Sequence, residues 1–173
     1  IKGSFMDFQY NVFFHQKIIK DALLFANDAI NPRYLISTIE KNMSINNLSL
    51  ELSYLKMNRW DFYLKGDILL YELDNLPVAY NLPGQKLDLG IHFQPHPQWM
   101  IRSNIFLLGG VKSIINNAEI SSGLQADINL GGEYQFNKKF YIFAQANNIL
   151  NSKILQTIGY PSYGINGQLG FRV

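Results

Sequence analysis

The sequence predicts an all-β fold: an antiparallel transmembrane β-barrel of the outer-membrane type, with about eight strands in this chain. Three observations predict it. Apolar and polar residues alternate with period two over runs longer than the roughly 5–6 residues of a typical strand. Short and long connections alternate between those runs. Composition is the third: aromatic residues make up 14% of the 173 residues and charged residues only 16%, yet the mean hydropathy is −0.05. A lipid-facing surface with aromatic girdles opposite a polar lumen produces that combination, because the two faces average out.

In a strand, successive side chains point to opposite faces, so each run can be checked by parity. In 4–16, Met6, Phe8, Tyr10, Val12 and Phe14 oppose Asp7, Gln9, Asn11 and His15. Residues 17–32 read as a long connection, more apolar than an exposed loop tolerates because it carries Ile18, Ile19, Leu23, Leu24 and Phe25. Such a loop folds inward, packs on another loop or meets a partner protein. The run 33–56 breaks phase, since Met43 and Ile45 are odd while Leu48, Leu50, Leu52 and Tyr54 are even; a bulge near Asn46-Asn47 reconciles them. After a turn at Met57-Asn58, the run 59–73 sets Trp60, Phe62, Leu64, Gly66, Ile68 and Leu70 against Asp61, Lys65 and Asp67.

A long connection, 74–84, leads into 85–94, where Leu87, Leu89, Ile91 and Phe93 oppose Asp88, Gly90 and His92. Pro95-His96-Pro97 makes a short turn into 98–111, with Trp99, Ile101, Ile105 and Leu107 opposite Arg102 and Asn104. Beyond the long connection 112–121, the run 122–136 alternates most cleanly. Leu124, Ala126, Ile128, Leu130, Gly132, Tyr134 and Phe136 lie on one face; Gln125, Asp127, Asn129, Gly131, Glu133 and Gln135 lie on the other. Asn137-Lys138 turns into 139–150, where Phe140, Ile142, Ala144 and Ala146 oppose Gln145 and Asn147. The last long connection, 151–163, precedes 164–173, which sets Ile165, Leu169, Phe171 and Val173 against Asn166, Gln168 and Arg172.

Tight turns on the periplasmic side and longer loops outside are the habit of such barrels, and an even strand number then puts both chain ends on the periplasmic side. Tyr54, Trp60, Phe93, Trp99, Phe136, Phe140 and Phe171 gather near the short-turn ends, as an interfacial girdle does. The lumen-facing charges by parity are Asp7, Glu51, Asp61, Asp67, Asp88, Asp127 and Glu133 against Lys65, Lys86, Arg102 and Arg172, a mildly acidic set. Enclosed charges persist when paired, so the expectation is an ion-pair network filling the interior, with a cation-preferring pore or polar-ligand site as the functional alternative.

Other classes drop out. A net charge of +2 with no basic stripe argues against nucleic acid as a partner. No run approaches the roughly 18 apolar residues of a membrane helix. There is no cysteine for a disulfide, thiolate metal site or cysteine nucleophile. His92 and His96, four apart on a strand, lie about 13 Å from each other, too far for one metal ion unless the turn folds back. No Gly-x-Ser-x-Gly, phosphate-cradling loop or His-Glu-x-x-His occurs, so no catalytic residue, metal or cofactor is expected and the chain does not read as an enzyme. It begins without Met and without a basic-then-apolar leader, as a mature form or an internal piece does. Residues 1–173 read as one domain.

Four segments carry a family resemblance. Asp127-Ile128-Asn129-Leu130, Glu133-Tyr134-Gln135-Phe136-Asn137-Lys138, Ala146-Asn147-Asn148-Ile149-Leu150-Asn151 and Gly159-Tyr160-Pro161, in that order, resemble the last three strands of TonB-dependent-receptor-like outer-membrane barrels of the Bacteroidetes type. The stretch from Tyr71-Glu72-Leu73-Asp74 through Ala79-Tyr80 to Leu82-Pro83 is similar to that group as well, so the resemblance covers most of the chain and is weak in its first thirty residues. It implies a barrel in the outer-membrane lipid whose last strand ends the chain, with an aromatic-rich terminal signal read by the barrel-assembly machinery. Val173 stands where the family usually has Phe. It also implies more barrel, with room for a plug, upstream of Ile1, solute uptake or binding across the outer membrane, and TonB or other outer-membrane proteins as partners. A non-transporting barrel, either small and complete or a subunit of an outer-membrane assembly, is the other reading.

Overall fold

The computed structural model describes the whole chain except Ala29, Met57, Asn58, Asn117 and the side chains of Leu55 and Lys56, so the expected turn at Met57-Asn58 lies outside the described residues. Among the described residues the elements are β1 (Lys2–Phe5), β2 (Phe8–Asn27), β3 (Leu35–Lys56), β4 (Trp60–Leu73), β5 (Gln85–His96), β6 (Trp99–Gly109), β7 (Lys112–Ile115), β8 (Ala118–Ser121), β9 (Leu124–Gln135), β10 (Tyr141–Asn147), β11 (Leu155–Thr157), β12 (Tyr160–Pro161) and β13 (Asn166–Arg172), with no helix. Nine of them form one sheet in the order β1-β2-β3-β4-β5-β6-β9-β10-β13. Its neighbours pair antiparallel throughout. β7-β8 and β11-β12 are two-stranded excursions from the long connections. The sheet is open, with β1 and β13 at its edges.

Alternation is what makes this sheet amphipathic. Its apolar side chains project away from the rest of the protein: Leu70 is 64% exposed, Leu169 80% and Phe171 70%. A water-soluble sandwich would turn that face inward as its core, whereas a membrane barrel presents it to lipid. Rings pack across strands near the short turns: Trp60 stacks on Phe93 at 3.9 Å between centroids and Tyr54 on Phe62 at 5.2 Å, while Trp99 lies tilted against Tyr134 at 4.7 Å and Phe8 against Tyr54 at 4.9 Å. The series continues from Tyr134 through Phe136 and Phe140 to Phe171.

Four expectations need correction. The run 4–16 is a hairpin followed by a strand: Met6, at φ 53°, sits in the turn between β1 and β2 rather than on the apolar face. That ninth strand removes the even count from which both chain ends were assigned to one side. Residues 17–27 are not loop but the continuation of β2, so the connection shrinks to 28–34; its apolar residues are strand residues with a partner in β3. Pro95 and His96 belong to β5, after a register shift between Phe93 and His96, and the turn moves to Pro97-Gln98.

The fourth concerns phase. No bulge interrupts β3 at Asn46-Asn47: its pairing with β4 runs in one register from Met43↔Leu73 to Lys56↔Trp60. Met43 and Ile45 lie on the same face as the polar residues lower in β3, and there they meet Ile19, Tyr71, Leu73, Leu76 and Leu82 in an apolar cluster. The true switch lies higher. Pairing of β2 with β3 skips only Asp21 and Lys41, between Lys20↔Asn42 and Ala22↔Glu40, and Asp21 has a φ of 51°. Above that point Ala22, Leu24 and Ala26 are buried and Leu23 and Phe25 exposed, the reverse of the parity below. A left-handed residue turns the strand over, and Asp tolerates that conformation better than most side chains.

At the end of the sheet opposite the short turns, the connections pack as a cap. One cluster joins Leu108 and Val111 to Ile154 and Ile158, with Phe106 and Ile115 against it. The other lays Leu76 and Leu82 of connection 74–84 on Ala22, Leu24 and Met43. Long connections with apolar faces this well covered are ordered structure rather than open loops.

Candidate functional site

Strand parity gathers the polar side chains on one face, and cross-strand register decides who meets whom. Glu51 and Lys65 are direct register partners and approach to 3.7 Å, and Asn11 Nδ2 donates to Glu51 at 3.2 Å. Asp67 accepts from Ser49, its register partner, and from Asn47 Nδ2 at 3.2 Å. Asp88 accepts from Asn104 Nδ2 and from the Tyr63 hydroxyl at 3.4 Å. Arg172 reaches Glu133 at 3.5 Å, with its guanidinium carbon 4.6 Å from the Tyr141 ring centre. Asp127 accepts from the amide of Ile128 at 2.6 Å, and Asp61 lies opposite His92 in register.

The expected ion-pair network is therefore much thinner than the inventory of charges suggested. Among the described residues only Glu51–Lys65 and Glu133–Arg172 pair on this face; the third ion pair, Lys112–Glu119 at 2.7 Å, staples β7 to β8 in the cap. Asn, Ser and Tyr donors beside the acids supply the hydrogen bonds instead, which satisfies a carboxylate without a second desolvated charge. Arg102, expected to be paired, has no carboxylate among the described residues. Its Nε and a terminal nitrogen lie 3.1 and 2.9 Å from Met100 Sδ, a weak acceptor.

Two hollows open on this face. One of about 300 Å³ is lined by Tyr63, His92, Arg102, Asn104, Asn129, Glu133 and Gln145, over a floor of Gly90, Gly131 and Gly132. The other, about 360 Å³, is lined by Lys2, Asn11, Glu51, Lys65 and Asp88. Tyr63 separates them, because its ring lies flat across Gly90, its register partner, where any Cβ would collide with it. Phe143 covers Gly170 in the same way. Sequence reading put Gly90 on this face without seeing why. The signal was there, in the position of an aromatic on the neighbouring strand.

Parity could not find the cap's polar fastenings. Asn27 is buried at the end of β2; its Nδ2 donates to the carbonyls of Pro32 at 2.9 Å and Ile158 at 2.7 Å, and its Oδ1 accepts from Ser113 Oγ at 2.6 Å. Asn81 donates to the Phe25 carbonyl at 2.8 Å and accepts from the Ile158 amide at 2.8 Å. Four connections far apart in sequence are thus tied at one point. Glu40, 0% exposed, lies beyond Met43, the last β3 residue paired with β4, in the part of the β2–β3 hairpin that outgrows the sheet and lies outside the membrane span. Its carboxylate accepts from the backbone amides of Asn42, Asp74, Asn75 and Leu76, the last at 2.8 Å. Burial raises its pKa, but the amides of Leu76, Asn75, Asn42 and Asp74 together outweigh it and hold the carboxyl below its ordinary value.

An open antiparallel sheet with a bare apolar face, stacked rings near its short turns and a capped far end is a portion of an outer-membrane β-barrel. Solved structures agree on the fold. The copper transporter OprC matches over 98% of this chain and 29% of its own, with a TM-score of 0.71 at 12% identity. The siderophore receptor PirA from Acinetobacter baumannii matches over 98% of this chain and 30% of its own, with a TM-score of 0.75 at 10% identity. The pyoverdine outer membrane receptor FpvA from Pseudomonas aeruginosa PAO1 matches over 98% and 28%, with a TM-score of 0.68 at 14% identity. The chain spans about 30% of the length of these structures. No family model and no curated protein matches the sequence.

Proposed function

We propose that this chain is part of the wall of a TonB-dependent-receptor-like barrel of the Bacteroidetes type, which binds a solute or takes it up across the outer membrane. The observation that carries the reading is that this chain, whose main sheet is nine-stranded and open, matches over 98% of its length to only 29% of a copper transporter and 30% of a siderophore receptor. Diameter grows with strand number, so such a barrel has a lumen wide enough for a chelated metal or similar solute. The polar face lines that lumen, with Asp61, Lys65, Asp67, Asp88, Arg102, Asp127, Glu133 and Arg172 as its charges. The apolar face lies against lipid, and Tyr54, Trp60, Phe93, Trp99, Phe136, Phe140 and Phe171 form the periplasmic girdle. The capped end faces outward. TonB would energise uptake, and the barrel-assembly machinery would insert the chain.

The test is total iron and copper accumulated by cells starved of both, measured by mass spectrometry with and without the protein and with and without a proton uncoupler. Uptake that falls on deletion, and falls to the same level with the uncoupler, supports energised transport. Unchanged accumulation of both metals would drop transport of these metals and leave the second reading, a subunit of an outer-membrane assembly. The exposed Leu23, Phe25 and Ile39 at the outer end of the β2–β3 hairpin favour that reading, because they offer a partner protein an apolar surface.

A further inference from the structure

Resting on the reading of the polar face as a closed lumen, we infer that the hollow around Arg102 is a carboxylate-binding site. Its cation has no carboxylate of its own among the described residues, and the NH2 groups of Asn104 and Gln145 already donate to Asp88 and Asn147, so Arg102 is the charged donor left facing the hollow. Arg102 and His92 are register partners across β5 and β6, and Asn104, Asn129 and Gln145 complete the wall. Glu133, the acid at the rim, is engaged by Arg172 at 3.5 Å. Gly131 leaves side-chain space empty beside the guanidinium: it is the register partner of Arg102 on β9, and an added Cβ there would meet nothing closer than 3.7 Å. Among the described residues, the side chain of Arg102 hydrogen-bonds only to the Met100 thioether.

A guanidinium enclosed in a lumen needs a counter-charge, and its planar fork matches a carboxylate with two parallel hydrogen bonds. Lys65 and Arg172 each have an acid from their own wall, and Lys86 lies opposite Asp67 in register. For Arg102 the acid comes from whatever occupies the hollow, either a solute carboxylate or the acidic side chain of a protein segment lodged in the lumen. The volume of about 300 Å³ suits one such group with its immediate neighbours.

The chain contains no cysteine, so a single Gln145→Cys in the full protein, with any cysteine elsewhere removed, reports the hollow from outer-membrane vesicles. Two methanethiosulfonate reagents are compared, one carrying a sulfonate and one a trimethylammonium, each rate being taken relative to that reagent's rate with a free thiol in solution, because the thiolate itself favours the cationic one. A solute site gives labelling about fivefold faster with the sulfonate, slowed by citrate, kept in Arg102→Lys and abolished in Arg102→Gln. A lodged segment gives a cysteine closed to both reagents that opens in Arg102→Gln. Equal rates for the two reagents in Arg102 and Arg102→Gln proteins overturn the site, as does closure that persists in Arg102→Gln. If Arg102→Gln fails to fold, the reagent preference and the citrate competition with Arg102 intact decide the question, and equal rates there overturn it too. Leu169→Cys on the apolar face separates the two failures. Rapid labelling there by both reagents would sink the lumen assignment itself, whereas silence there with equal rates at position 145 would sink only the carboxylate site.

Discussion

Glu40 holds the first turn of connection 74–84 in place. Sealed from water, its carboxylate is the acceptor for the amides of Asp74, Asn75 and Leu76 as well as Asn42. Those bonds favour the charged form, so the folded pKa lies below the unfolded one. The contribution is fully present above the ordinary carboxylate value and is lost as pH falls through the lower folded value. Hydrogen exchange, corrected for intrinsic rates, is expected to show the amides of Asp74 to Leu76 protected at neutral pH and opening in acid. Glu40→Gln should open the same amides at neutral pH while leaving β9 and β10 unchanged; equal protection in the variant would rule this role out. Nothing in the local sequence marks Glu40, because three of its four partners, the amides of Asp74, Asn75 and Leu76, are backbone groups more than thirty residues away. Asp67 was readable, since its Ser49 partner follows from parity once the strands are paired. The same limit hid Asn27 and Asn81, whose partners lie in connections that have no period to read.

Among the elements, the β2–β3 hairpin departs most from its sequence reading, and one backbone angle explains the departure. Parity correctly sorted 122–136 and 59–73 because those strands keep one phase from end to end. In β2 the apolar residues change phase at Asp21, and a change of phase in a sequence looks like the end of a strand. The register shows instead that the strand continues to Asn27 with its faces exchanged. The exchange lets Ala22 and Leu24 lie beneath connection 74–84 while Ile18 stays on the apolar face below. A left-handed residue other than glycine costs about 1–2 kcal/mol, more for a β-branched side chain. Asp21→Gly is therefore expected to unfold in urea at the parent midpoint or above it, and Asp21→Val at a lower midpoint, by about 1–2 kcal/mol or more. Matching midpoints for the two variants would mean that Asp21 is not what turns the strand over.

At the scale of the whole molecule, two faces of one sheet require two solvents. The described residues bury few large apolar side chains, mainly in the cap, while the apolar face of the nine strands remains bare. Stability in water would need that face covered; in a bilayer the lipid covers it, and burial of the backbone is satisfied by the ladder itself. The rule has a sharp consequence for charge. Leu130 lies on the apolar face, midway along the run from Leu124 to Phe136, and is exposed; Gln168 faces the opposite way, register partner of Gln145. Leu130→Arg places a guanidinium on the face that meets the acyl chains, where it costs about 2–4 kcal/mol, while Gln168→Arg places it on the polar face at little cost. Folding into lipid vesicles, followed by the heat-modifiable shift in electrophoretic mobility, is expected to show Leu130→Arg unfolding at lower urea than the parent and Gln168→Arg close to it. Were Gln168→Arg the more damaging of the two, the faces would be inverted and the chain would have to fold around a core of its own.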